Sequence, residues 1–309
     1  MVISRRHLLR AAGALSAPLL AATLAVERVF AQDGIEPADI DTFTVIGGGL
    51  DTRPPDLQLP GAPENADVFI IARLHMPAGT MRAMSVPRDL YVEIPGFGFD
   101  KITRAYDHGS KSDGGAFKAG SDAMKATVAA NFGVEVDAVA MATFEGFVDL
   151  LNTVEGVDVV NPYDLYDAEY PTENHSTEEI FFPAGSIHLD GQDALKFVRT
   201  RHQDGDAGRI MRQHLVLTAM LSKATSPEFV DSLPDLVHQY RRVVRNDIGA
   251  SRRLALALAA PRFSVESVEF ADLLPYVYSD TTSAGMWIYS GDWSQIPGVV
   301  QEFLAGASS

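Results

Sequence analysis

Phe43-Thr44-Val45-Ile46-Gly47-Gly48-Gly49-Leu50-Asp51 is the stretch that decides the fold. Phe43–Ile46 is a short apolar run, and it meets three glycines before the chain reaches a carboxylate. It reads as a buried strand that stops at Gly47–Gly49, where a glycine-rich turn begins. Downstream, Arg53–Glu64 holds four prolines and reads as a loop. Val68–Leu74 and Met81–Val86 follow as strands, joined in hairpin fashion by Pro77-Ala78-Gly79. Helical spacing over Ala123–Ala130 ends near Gly133. Val139–Ala142 then reads as a strand, Phe144–Leu151 as a helix and Val157–Val160 as another strand. Tyr163–Glu179 is acidic and aromatic without periodicity, and reads as a long exposed loop. Gln192–Val198, Ile210–Lys223, Phe229–Val244 and Arg252–Leu258 read as helices, Val265–Phe270 as a late strand and Ile296–Leu304 as a C-terminal helix. Strands interleaved with helices predict one α/β domain over residues 42–309, its central sheet covered on both faces and its C-terminal part helical.

Upstream of the first strand, residues 32–41 are short and polar and read as a linker. Residues 1–31 have the layout of an export signal. Ser4-Arg5-Arg6 places a twin arginine ahead of an uncharged run, Ala11–Val26, and Val29-Phe30-Ala31 offers small residues for cleavage. That run would be about 24 Å long as a helix against roughly 30 Å of hydrocarbon, and it contains Pro18, so a signal fits it better than a spanning helix. The protein is therefore expected outside the cytoplasm.

The whole chain of 309 residues has 25 Lys+Arg against 41 Asp+Glu, a net charge of −16. Removing the leader, which carries +3, would leave −19. Such acidity repels a phosphate backbone, and a nucleic-acid partner is not expected. The absence of cysteine excludes disulfides, a thiolate nucleophile and Cys-ligated zinc. No nucleophile elbow, P-loop or zinc-protease helix is present either.

Against that acidity, Arg199-Thr-Arg201-His-Gln-Asp204-Gly-Asp206-Ala-Gly-Arg209-Ile-Met-Arg212-Gln213 is a local exception. In extended chain, Arg199 and Arg201 point the same way, and Arg209 and Gln213 share one face of a helix. Forked guanidinium donors suit a diphosphate. Asp204 and Asp206 are also at hand as structural partners, and the spacing leaves both readings open. Asp51 and Asp67 lie at neighbouring strand ends, where two carboxylates can hold Mg²⁺ and each is equally able to serve as a turn or cap residue. Ser85-Val86-Pro87-Arg88-Asp89 adds an arginine at a third strand end with an aspartate beside it to orient it. Lys101 and Arg104 offer further cations.

Taken in order, Gly49-Leu-Asp51-Thr-Arg53, Ala66-Asp67-Val68, Ser85-Val-Pro-Arg88-Asp89, Asp100-Lys101-Ile102, Phe144-Glu-Gly-Phe147, Gly156-Val-Asp-Val, His188-Leu-Asp-Gly191-Gln192 and the Arg199–Gln213 block resemble the LytR-CpsA-Psr family. The resemblance covers about Phe43 to Lys223. It implies a three-layer α/β/α sandwich around a central mixed sheet. It also implies an extracytoplasmic phosphotransferase that moves a glycopolymer phosphate from a polyprenyl-diphosphate carrier to peptidoglycan or another wall glycan. By that likeness Arg88, Arg199, Arg201, Arg209 and Gln213 bind the diphosphate, while Asp51 and Asp67 hold Mg²⁺, with Mn²⁺ as an alternative. Asp51, Asp67, Arg88 and Arg201 form the catalytic set, and one of the aspartates assists deprotonation of the accepting hydroxyl. The membrane surface is met through the lipid substrate, at the outer face of the cytoplasmic membrane, in the periplasm or in the wall. A tunnel for the lipid would draw on Ala123–Ala130, Phe144–Leu151 and Leu215–Leu221. A polyprenyl-diphosphate phosphatase and a non-catalytic binder of carrier lipid or wall glycan are the competing readings. The chain departs from the family at Asn65, where members often carry an arginine, and Arg53 is a cation that can offset the loss.

Overall fold

A computed structural model describes residues 40–51, 63–172, 176–224 and 243–306 of the chain. The expected signal, most of the linker and of the proline-rich loop, and the body of the expected helix Phe229–Val244 lie outside the described residues. β1 (Thr42–Asp51) does not stop at its glycines. Both neighbouring strands keep pairing with it there, Gly47 lying opposite Ile70 on one side and Ala140 on the other. Ladder hydrogen bonds from two sides hold a backbone extended even where its residues favour a turn.

β2 (Asn65–His75) and β3 (Thr80–Ser85) form the expected hairpin. A smaller hairpin follows, β4 (Tyr91–Ile94) with β5 (Gly98–Lys101). Helices α1 (Ala105–Ser112) and α2 (Phe117–Phe132) come next. The second of these ends at Gly133, whose φ of 65° gives the left-handed cap that L side chains resist. β6 (Ala138–Thr143) returns to the sheet and hands over to α3 (Phe144–Thr153), whose first turn is capped by the Thr143 hydroxyl accepting from Gly146 N. Two antiparallel pairs follow. β7 (Val157–Asn161) pairs with β10 (Gly185–Leu189), and between them β8 (Leu165–Pro171) pairs with β9 (Thr177–Phe182). Then come α4 (Gly191–Arg199), α5 (Gly205–Ala224), β11 (Val244–Asn246), α6 (Ala250–Ala259) and β12 (Val268–Asp272). The β13 (Val277–Thr281) and β14 (Trp287–Gly291) hairpin and α7 (Ile296–Ala305) complete the chain.

The central sheet has six strands in the order β11-β6-β1-β2-β3-β12. It is mixed, with β1/β6 and β3/β12 parallel and the other neighbours antiparallel. On one face Ile46, Leu50, Phe69, Ile71, Met84 and Met141 pack against Met124, Val128 and Phe132 of α2 and Ile296, Val300 and Leu304 of α7. The other face is covered by α3 and α5. A satellite core built from α3, α4, α5 and the β7–β10 region surrounds Leu165, Phe182 and Phe197. The α/β/α layering expected from the sequence is thus the architecture.

Tyr163–Glu179 is corrected from a loop to the β8–β9 hairpin. The inward positions are Leu165, Asp167 and Tyr170, and the register shifts between Asp167 and Tyr170. A polar inward residue and a bulge together erase the alternation by which a strand is recognised.

One contact ties the sheet to α5. Ser85 Oγ and His214 Nε2 lie 2.8 Å apart, and the His214 ring stacks on Phe270 at 4.5 Å. Burial lowers the His214 pKa below its ordinary 6.5, against a weaker pull from Asp272. The unfolded chain then binds the proton more readily than the folded one, so this contribution to stability is complete above about pH 6.5 and declines as pH falls below it. Thermal denaturation between about pH 7 and about pH 5 should show a steeper loss of melting temperature for the native chain than for His214→Gln.

Candidate active site

Asp67 enters the site through a break in register. Gly49 lies opposite Val68 but Leu50 lies opposite Ala66, so Asp67 is an extra residue in β2. Such a bulge re-aims the side chain it carries. The Asp67 carboxylate accepts from Arg88 Nη1 at 2.9 Å. Arg88 also reaches Asp89 through Nε at 3.3 Å, and Asp89 is held from its other oxygen by Lys101 Nζ at 2.7 Å. Burial alone would lower the Arg88 pKa, but Asp67 and Asp89 outweigh it and the net shift is upward. Burial alone would likewise raise Asp89, and Lys101 and Arg88 hold it below its ordinary value instead. Arg104, the other cation flagged beside Lys101, turns away to Asp107 at 3.3 Å.

Facing this group is the arginine-rich segment. Arg199 is the last residue of α4, Thr200 is its extended cap, and Arg201 follows. The Arg199 guanidinium lies 4.3 Å from the Phe144 ring centre and donates to the Tyr170 hydroxyl at 3.1 Å. Asp167, buried in β8, accepts from the Thr200 hydroxyl and sits 2.8 Å from His202 Nδ1. It thereby fastens the hairpin to the turn that carries both arginines. Arg201 is half exposed, and its nearest carboxylate contact is Asp206 at 3.9 Å.

α5 begins at Gly205 rather than Ile210, so Arg209 lies within the same helix as Arg212 and Gln213. Arg209 is buried, with Nη2 2.8 Å from Asp206. Its Nε is buried without a hydrogen-bond partner. Burial and the neighbouring Arg88 and Arg201 lower its pKa against the pull of Asp206. A guanidinium does not deprotonate in a protein. The depressed value therefore describes a positive charge short of counter-charge, which an incoming anion would relieve. Gln213 lies one turn further along on the same wall, its amide 3.4 Å from the Val198 carbonyl.

Arg212 behaves differently. It is fully buried, donates to the carbonyls of Phe197 and Thr200, and pairs with Asp204. A Cβ at position 208 would overlap that Asp204 carboxylate, which accounts for Gly208. Here the structural reading of the arginines holds. Arg212→Ala should destabilise the fold by about 3–5 kcal/mol, seen as a lower midpoint in chemical denaturation, because it removes the ion partner of Asp204 and leaves the buried Phe197 and Thr200 carbonyls without their donor.

Asp67, Arg88, Arg199, Arg201, Arg209 and Gln213 all line one cavity of about 510 Å³. Asp51 does not line it. Asp51 lies opposite Asn65 at the end of the β1–β2 pairing, on the sheet face away from Leu50 and Ala66 and so on the side of Asp67. Two carboxylates on adjacent strands form an oxygen donor set of the kind Mg²⁺ takes when waters and substrate phosphates complete its shell. Among the described residues no three His, Cys, Asp or Glu are placed to hold a metal. Arg53 lies outside the described residues.

Behind the arginines the cavity becomes apolar. Its sheet wall is Val68, Ile70, Ala72 and Ala83, and its helical wall includes Phe147, Leu150, Leu217 and Met220. Phe144–Leu151 and Leu215–Leu221 thus contribute as expected, whereas Met124 and Val128 of the Ala123–Ala130 stretch pack on the opposite sheet face. Gly47 lines the cavity, and a Cβ built there would meet no atom within 4 Å. Phe144 lines it too, and so do Asp167, Tyr170 and His202, which spacing did not single out. An arginine next to a half-hidden hairpin was the signal available for the last three.

The LytR_cpsA_psr family model matches residues 22–302. The chain is 28% identical over 262 residues to the polyisoprenyl-teichoic acid–peptidoglycan teichoic acid transferase TagT of Bacillus subtilis (strain 168), a match covering 85% of this chain and 76% of that protein. It is 32% identical over 223 residues to TagU of Bacillus mycoides (strain KBAB4), covering 70% of this chain and just 65% of that relative's length. The crystal structure of B. subtilis TagV matches with a TM-score of 0.67 at 24% identity, over 86% of this chain and 98% of that one. The structure of TagT bound to LI-WTA matches with a TM-score of 0.61 at 25% identity, over 88% and 93%. Because the family match runs through every strand of the sheet and both ends of the cavity, the chain belongs to the LytR-CpsA-Psr family.

Proposed function

We propose that the protein is a glycopolymer phosphotransferase. It takes a glycan phosphate from a polyprenyl-diphosphate carrier and attaches it to a hydroxyl of peptidoglycan or another wall glycan. The observation that carries this reading is the cavity itself, an apolar channel that opens onto Arg209, a buried cation with an unpartnered Nε. A ligand matched to it has a long apolar chain ending in a multiply charged anion, which is the chemistry of a lipid diphosphate. The names of the relatives TagT and TagU point the same way.

In this reading the lipid chain lies between the sheet and α3, α4 and α5, and the diphosphate meets Arg88, Arg199, Arg201, Arg209 and Gln213. An acceptor hydroxyl attacks the phosphorus nearer the glycan and forms a new P–O bond. The bond from that phosphorus to the bridging oxygen breaks, and the carrier leaves as its monophosphate. The hydroxyl proton passes to one of the two aspartates, Asp51 or Asp67. Arginines already fixed by Asp67, Asp89, Asp206 and Tyr170 stabilise the charge on the non-bridging oxygens without rearranging as it shifts. Mg²⁺, or Mn²⁺ in its place, would be held by Asp51 and Asp67 and would supply further neutralisation of the diphosphate when bound. The Arg5-Arg6 leader supports export by the twin-arginine route to the outer face of the cytoplasmic membrane, the periplasm or the wall. Among the described residues no helix is long and apolar enough to cross a membrane. Contact with the bilayer then comes through the lipid substrate.

The test incubates the protein with a lipid-linked glycopolymer, Mg²⁺ and soluble peptidoglycan fragments. A glycopolymer–peptidoglycan phosphodiester that requires both substrates is the expected product. Release of phosphate to water alone would make the protein a phosphatase, and binding without turnover would make it a carrier.

A further inference from the structure

A strip of aromatic rings borders the anion pocket, and none of the steps above uses it. Trp287 and Tyr289 are alternate residues of β14 and so stand on one face of the β13–β14 hairpin. Their rings meet edge to face at 4.9 Å. β14 runs beside the Asp89–Leu90 segment, with Tyr289 N donating to Asp89 O at 2.9 Å. Asp89 in turn pairs with Arg88, which lines the pocket. The inner end of the strip therefore adjoins the pocket through Asp89 and Arg88. Further out, Lys101 Nζ lies 5.6 Å from the centre of the Trp287 ring while it binds Asp89. Lys101 lies opposite Tyr91 in the β4–β5 hairpin, and the Tyr91 ring packs against Phe99 at 5.8 Å. The outer rings face solvent, Trp287 at 42% and Phe99 at 63% exposure.

Scattered exposed aromatics need no explanation, but a connected run of them leading to a reactive pocket does. We propose that Tyr289, Trp287, Tyr91 and Phe99, with Lys101 among them, form the binding site for the acceptor glycan. This assignment rests on the phosphotransferase reading. A pyranose ring has a face of C–H groups and a rim of hydroxyls. Aromatic faces suit the first, and Lys101 with the carboxylates around it suits the second. Position decides the occupant. The accepting hydroxyl must reach a phosphorus held by Arg209 and Arg88, so the acceptor has to lie against the residues that border them, and Tyr289 is the aromatic residue in that place. A bilayer surface would have no need of a strand tied to the segment that carries Arg88 and Asp89.

Calorimetric titration of the full chain with soluble peptidoglycan glycan strands tests the site without requiring turnover. Native protein should bind the strands, and Trp287→Ala should weaken binding by about tenfold or more, in the range expected for an anchoring tryptophan. Trp287→Tyr should retain most of the affinity. All variants should keep the native melting temperature and native affinity for the lipid-linked donor. Failure of the native chain to bind glycan, or equal binding by Trp287→Ala, would overturn the assignment. So would loss of adsorption to anionic phospholipid vesicles in Trp287→Ala with glycan affinity unchanged, which would give the strip to the membrane. If the native chain binds glycan through Trp287 yet transfers nothing, the phosphotransferase reading fails and the glycan site stands.

Discussion

Arg201→Ala should lower glycopolymer transfer by about a hundred- to a thousandfold while leaving the melting temperature essentially unchanged. The two halves of this expectation have different causes. Arg201 lies at the cavity mouth, where its guanidinium can form paired bonds with phosphate oxygens. Loss of one such preorganised donor removes stabilisation of charge that develops as the phosphorus is attacked. Stability is spared because the side chain is half exposed and its ion contact with Asp206 is long, at 3.9 Å. Contacts of that type contribute about 0–1 kcal/mol. Arg201→Lys should recover only part of the rate, since an ammonium is a point charge without the forked geometry. Steady-state transfer rates beside a thermal melt provide the check. A variant that transfers at the native rate would remove Arg201 from the site.

Gly47→Leu should weaken binding of a long-chain carrier about a hundredfold by filling the channel from the sheet side. The Cβ position at residue 47 is open and faces the cavity, so a leucine fits without displacing backbone. A branched side chain also suits a central strand better than glycine does, so the melting temperature should hold or rise. Excluding about four methylenes of the lipid chain would forfeit about 3 kcal/mol, on the order of a hundredfold in Kd. The loss should shrink for a donor with a chain too short to reach Gly47, which separates a blocked channel from a damaged arginine pocket. Affinity for long- and short-chain diphosphates, measured by calorimetry on both proteins, decides it. Equal weakening for both donors would mean that the lipid lies elsewhere.

The two substitutions also show what was legible in the sequence. The arginine block was legible because four guanidinium groups within fourteen residues stand out in a chain of net charge −16. Its division of labour was not. Arg209 faces the cavity and Arg212, less than one turn later, is locked inside by Asp204 and two carbonyls. That difference depends on Asp204 folding over Gly208, a tertiary detail without a periodic signature. Asp67 could be placed at a strand end, but the bulge that turns it toward Arg88 appears only in the β1–β2 register. Gly47–Gly49 was misread for a related reason. Glycine in a chain signals a turn, whereas here two flanking strands hold it extended and its missing side chain becomes space for a ligand. Asp167 and Tyr170 were hidden because their strand alternates around a polar residue and a bulge. The layered fold needed none of these details, since apolar runs interleaved with helical spacing were enough to indicate it.

What becomes of the carrier is the most direct test of phosphoryl transfer. Mass spectrometry of the lipid product after complete reaction should find polyprenyl monophosphate, equal in amount to the glycopolymer–peptidoglycan phosphodiester. Recovery of the carrier as its diphosphate, with glycan joined to the wall without phosphate, would contradict transfer at phosphorus and assign the cavity a different reaction.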